Sequence, residues 1–228
     1  MKKTLLQCAA AFSLMVSAAN AAIIRIPEAS FTAGAGLITF SEFALNTINP
    51  TYTPADYGGG AGSPTVTFGG FFTGQSLGTT GTCPAGAAVT GCVVGTPTGP
   101  LSIDSGAPQT FITTDGAMPT SPVLSGSPRF NGPIGIAFST PQSGVGLIGG
   151  FFDAVGSTAI TAYDATGSEI GSVTNSQIGS EFLGLVTADG SAIISGLLFH
   201  LVGSEPAGFD VDNIRFGTGS QVVVPPTG

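Results

Sequence analysis

The sequence predicts an all-β fold, an antiparallel β-sandwich of jelly-roll type. Three observations predict it. The apolar segments are short, β-branched or aromatic, and bounded by Gly, Pro, Asn, Asp or Ser. Beyond residue 21 no helical periodicity lasts more than a few turns. Glycine (36) and proline (16) are abundant, yet 42% of residues are hydrophobic and the mean hydropathy is +0.44. Such a chain can bury a core, so the glycines read as turns between strands and not as a disordered tract.

The N-terminus is read first. Lys2 and Lys3 precede an apolar stretch, 5–16, too short to span a bilayer as a stable helix. Ala19-Asn20-Ala21 follows, with small residues where a signal peptidase cuts. Residues 1–21 are therefore expected to be a signal peptide, 22–217 one sandwich domain, and 218–228 a C-terminal tail. Cys8 lies before most of the apolar run, the wrong place for a lipid-anchored cysteine. The mature chain is expected to carry no membrane span and to be secreted, extracellular or at the cell surface, with the periplasm also open.

Strands are expected at 36–43, 65–72, 110–113, 135–139, 145–152, 158–164, 169–173, 182–187, 193–202 and 209–216. In the second half their spacing suits a sandwich with hairpin connections. The clearest hairpin joins 158–164 to 168–173, with Gly167 supplying a left-handed turn position. The stretch 74–133, rich in Gly, Thr, Ser and Pro, reads as long loops and irregular edge strands. In the closing strand the apolar parity switches: Phe209 and Val211 share one face, Ile214 and Phe216 the other. Either a bulge lies near Asp212 and Asn213, or Asp210 and Asp212 continue the face that Ile214 and Phe216 bury. Ile38, Phe40 and Glu42 likewise share a face. A carboxylate in an inward row must be hydrogen-bonded, paired or metal-bound. If first and last strands are neighbours, Glu42, Asp210 and Asp212 are candidate ligands for a structural calcium, which takes carboxylate and carbonyl oxygens. The alternative is that they accept backbone N–H bonds or face water at the rim.

Charge and cysteine content narrow the function. Beyond residue 21 there is no lysine, and three arginines, Arg25, Arg129 and Arg215, stand against 13 acidic residues. No basic face for nucleic acid or anionic lipid can be built from them. Cys83 and Cys92, an even pair in an exported chain, read as a disulfide closing a short loop.

The segments Ile38-Thr-Phe-Ser-Glu-Phe43, Val66-Thr-Phe-Gly-Gly-Phe-Phe72, Gly135-Ile-Ala-Phe138, Ala159-Ile-Thr-Ala-Tyr-Asp-Ala-Thr-Gly167, Phe182-Leu-Gly184 and Phe209-Asp-Val-Asp-Asn-Ile-Arg-Phe-Gly217 come in an order and spacing that matter more than any one of them. Together, over roughly 37–217, they resemble the jelly-roll ectodomain of exported Gram-negative proteins of the PEP-CTERM type. The resemblance implies a surface or matrix protein without assigned activity. The chain departs from that family at its end: Gln221-Val-Val-Val-Pro-Pro-Thr-Gly228 lacks the Val-Pro-Glu-Pro signal, the apolar helix and the basic tail. It is expected to be either truncated there or a freely secreted relative. Its last five residues also resemble a Gram-positive wall-sorting pentapeptide, without the downstream apolar and basic segments.

Catalytic motifs are weak. Gly74-Gln-Ser-Leu-Gly78 matches a nucleophile elbow, but no helix signal follows Ser76, and the sole histidine, His200, sits in an apolar strand. Gly144-Val-Gly-Leu-Ile-Gly149 matches a dinucleotide fingerprint without its βαβ setting. Sugar platforms favour aromatics; there is no Trp, and Tyr52 and Tyr57 flank one loop as a candidate ligand-binding pair. The expectation is a non-enzymatic structural or matrix protein. The alternative is a calcium-supported carbohydrate-binding module with an extracellular polysaccharide as partner.

Overall fold

The computed structural model describes residues 22–116 and 122–226. The expected signal peptide, 1–21, lies outside the described residues. Fifteen strands occur among those described: β1 (Ile23–Arg25), β2 (Gly36–Ile38), β3 (Thr51–Tyr52), β4 (Val66–Gly69), β5 (Ser76–Leu77), β6 (Val93–Val94), β7 (Thr110–Thr113), β8 (Val123–Gly126), β9 (Ile134–Gln142), β10 (Gly144–Phe152), β11 (Thr158–Tyr163), β12 (Glu169–Thr174), β13 (Gly179–Thr187), β14 (Ile194–Leu201) and β15 (Asp210–Gly217). One sheet runs β1-β13-β10-β15-β8-β7, with β2 also paired to β15; the other runs β12-β11-β14-β9-β4-β3. A ribbon of β5 and β6 stands apart.

The fold is an antiparallel β-sandwich of jelly-roll type. In its last eight strands, β8-β15-β10-β13 faces β9-β14-β11-β12. Apart from the β11–β12 hairpin, successive strands cross between the layers, as the jelly-roll winding requires. The inner faces meet in a core that includes Ile38, Phe68, Ile136, Leu147, Phe199, Phe209, Val211, Ile214 and Phe216. Every residue of β11 is buried, on both of its faces. The reason is a second layer of packing: the segment after β4 lays Phe71, Phe72 and Val93 against Tyr163 and Leu198 on the outer face.

The β11–β12 hairpin forms as expected. Asp164 Oδ1 accepts bonds from the backbone N–H groups of Thr166 and Ser168, and Gly167 takes φ +85°. The strand expected over 36–43 ends at Ile38, because Phe40 turns the backbone into the left-handed region at φ +59°. Strand β8, unmarked in the Gly- and Ser-rich middle region, becomes an interior strand between β7 and β15.

The parity switch in β15 is a bulge. Arg215 pairs with Gly146 and Asp212 with Ile148, so Asn213 and Ile214 together oppose Leu147. Asn213 takes φ +47° to make that turn. Val211, Ile214 and Phe216 thus all enter the core, and Asp210 and Asp212 fall on the opposite, outer face. The expected tail does not begin free at 218. A short 3-10 turn, Gly219–Gln221, leads to Val222, which is bridged to Phe31 and buried with Ile26, Phe31 and Val186.

Candidate functional site

The sandwich concentrates acidic side chains on the outer face of the β7-β8-β15 end. Asp210 and Asp212 share that face and are fully buried. Just after β7, the Thr114 carbonyl oxygen accepts a 2.8 Å bond from Arg129 Nη2. The next residue, Asp115, lies within hydrogen-bonding reach of Asp210. Neither Asp210 oxygen has a hydrogen-bond donor. Burial raises the Asp210 carboxyl to about 9, and the neighbouring Asp115 and Asp212 carboxylates push it the same way.

Glu42 stands elsewhere. β2 and β15 are neighbours, with Ile38 opposite Ile214. The left-handed turn at Phe40 then leads Glu42 back to cap its own loop, where Oε1 accepts bonds from the Thr39 N–H and hydroxyl. Its negative charge, with that of Asp56, acts on Tyr52. The structure therefore groups Asp210 with Asp212 and Asp115, and Glu42 with Tyr52. Among the described residues no three His, Cys, Asp or Glu side chains already converge as a metal cage. Asp115 was not singled out from the sequence. Its partner is distant along the chain, and no local pattern marks the pair.

The two tyrosines do not form a surface platform. Tyr52 is fully buried and stacks edge-on against Phe40 and Phe68. Burial raises its phenol well above the usual range. Tyr57 is half-buried, donates to the Pro64 carbonyl oxygen and packs on Phe216. Tyr52 belongs to the core, and Tyr57 packs against it.

Ser76 is exposed in β5, paired with Val94, and no helix follows it. His200 lies in β14 with Nε2 3.1 Å from the Thr161 hydroxyl, and burial holds its imidazole down at about 4. The glycine motif at 144–149 is the first part of β10, a strand.

A cleft of about 530 Å³ lies beside Phe216, lined by Ser63, Thr140, Gln142, Thr218, Ser220 and Gln221 and by no charged side chain. A glycine-rich turn, 58–62, borders it and a neighbouring hollow. No helix among the described residues is long and apolar enough to cross a membrane. No protein-family model matches the chain, and no curated protein matches it in sequence.

Proposed function

We propose that this chain is an exported, non-enzymatic β-sandwich that serves outside the cytoplasm as a structural or matrix component. The observation that carries the reading is the Cys83–Cys92 disulfide. Such bonds persist in oxidising compartments. Here it ties an eight-residue loop to the core through the buried Cys92. The acidic, lysine-free composition beyond residue 21 supports solubility in that setting.

Expression in a Gram-negative host with fractionation tests this. The expected product lies outside the cytoplasm, begins at Ala22 and has no alkylatable thiol until reduced. Cytoplasmic retention of the uncleaved chain with its three cysteines all free would sink the reading. Turnover of ester or glycoside probes, lost in Ser76→Ala or His200→Ala, would replace it with a hydrolase.

The uncharged cleft favours a second reading, a calcium-supported carbohydrate-binding module. Its hydroxyl and amide side chains suit the hydroxyls of a neutral polysaccharide. Retention on polysaccharide beads, lost when Thr140→Trp fills the cleft, is the outcome that selects it.

A further inference from the structure

Four carboxylates are buried among the described residues, Glu181, Glu205, Asp210 and Asp212, and the first two are well served. Glu181 accepts bonds from the Ser176 and Gln177 N–H groups and the Ser176 hydroxyl, and pairs with Arg25. Glu205 accepts from the Asp153 N–H at 2.9 Å and the Ser157 hydroxyl at 2.7 Å. Asp210, equally buried, has no donor on either oxygen. The Asp115 carboxylate lies within hydrogen-bonding reach of it, and Asp212 follows two residues on in the same strand.

A buried carboxylate needs a positive partner or a proton. This chain has few cations to offer. Arg25 is committed to Glu181, and Arg215 to Glu28. Arg129 reaches the Thr114 carbonyl oxygen and lies over the Phe130 ring. There is no lysine beyond residue 3. The pairing partner of Asp210 on β10 is Gly150, which adds no side chain to that face.

The geometry points to a divalent-cation site, suited to calcium, bridged by the carboxylates of Asp115 and Asp210, with Asp212 adding negative charge beside it. Oxygen-only donors of high charge match a hard cation. Calcium takes carboxylate, carbonyl and water oxygens in flexible geometry, so carbonyl and water oxygens would complete its shell around the two carboxylates. The site would clip the segment after β7 onto the closing strand, joining one edge of the sandwich to its middle. It is independent of the structural or matrix reading above, because it concerns the folded chain wherever that chain resides.

Calorimetric titration of the purified, chelator-stripped protein with calcium chloride tests it, alongside thermal unfolding. The expected result is saturable one-to-one binding. The Tm should rise by about 5–10 °C at a hundredfold excess over Kd. Asp115→Asn and Asp210→Asn should each weaken binding by about tenfold or more. Glu42→Gln should bind as the wild type does. Without calcium, Asp210→Asn should unfold at or above the wild-type Tm, which shows that its loss of binding is not misfolding. A Tm indifferent to calcium, with Asp210→Asn still more stable than the wild type, would mean that Asp115 and Asp210 share a proton, and would overturn the site. Binding that survives Asp210→Asn but fails in Glu42→Gln would overturn it equally.

Discussion

Buried and half-buried polar side chains in this protein are sorted by what meets them. His200 faces the Thr161 hydroxyl inside a sheet covered on both sides. Burial keeps it neutral, with its pKa lowered to about 4 from an ordinary 6.5. The unfolded chain therefore takes up the proton first as pH falls. Stability from the neutral imidazole is whole above pH 6.5 and is lost as pH drops through 4. Relative to His200→Gln, the wild type should lose up to about 3 kcal/mol across that window. Urea titrations of both proteins at several pH values measure the difference. Taking it between the two removes the opposing pH dependence of the buried Glu205, whose carboxyl is raised chiefly by burial. A constant gap from pH 7 to pH 4 would show that the imidazole titrates alike in the folded and unfolded chain, and would sink the shift. The sequence marked His200 as a strand residue beside Leu198 and Val202, but not its hydrogen bond. Thr161 belongs to a different strand.

Among the elements, β15 shows most plainly how a local irregularity sets a global arrangement. One left-handed residue, Asn213, lets Val211 and Ile214 both face inward although they are three apart. A β-branched residue resists that conformation, whereas glycine accepts it. Asn213→Val should be less stable than Asn213→Gly by about 1–2 kcal/mol, read as a shift in urea midpoint at constant m-value. Equal stabilities would mean that the bulge moves elsewhere at no cost. This element was half legible. The parity switch announced either a bulge or a buried acidic row, and only pairing with β10 decided between them. By contrast, the β11–β12 hairpin was legible in full, because its signals are local: an Asp at the turn, a Gly at the left-handed position and short alternating flanks. β8 was not legible at all. It has four residues in a Gly- and Ser-rich region, and it is a strand because β7 and β15 flank it.

At the scale of the whole molecule, the disulfide acts on the unfolded chain more than on any contact. Cys92 packs in the main core, and the loop that it closes lies against the β14–β15 connection, where Ala88 donates to the Glu205 carbonyl oxygen. Removing the cross-link in Cys83→Ser with Cys92→Ser frees a loop of about ten residues in the unfolded state. The expected cost is about 2.5–3 kcal/mol, and chemical unfolding under reducing and oxidising conditions checks it. Wild-type protein should fall to the level of the double variant when reduced. A double variant much less stable than reduced wild type would assign the loss to Cys92 packing instead.

By itself the sequence determined what depends on composition and on neighbours a few residues apart. These are the all-β class, most of the second-half strands, the hairpin and the cysteine pair. Tertiary structure alone decided which carboxylates meet. Glu42 was expected beside Asp212, yet the backbone turn at Phe40 leads it to Thr39, while Asp115, just after β7, meets Asp210. It also decided that Tyr52 belongs to the core and not to a surface. The physical reason is the same in each case. Strand identity follows from local alternation, whereas side-chain company in a jelly roll is set by pairings between strands far apart in the chain.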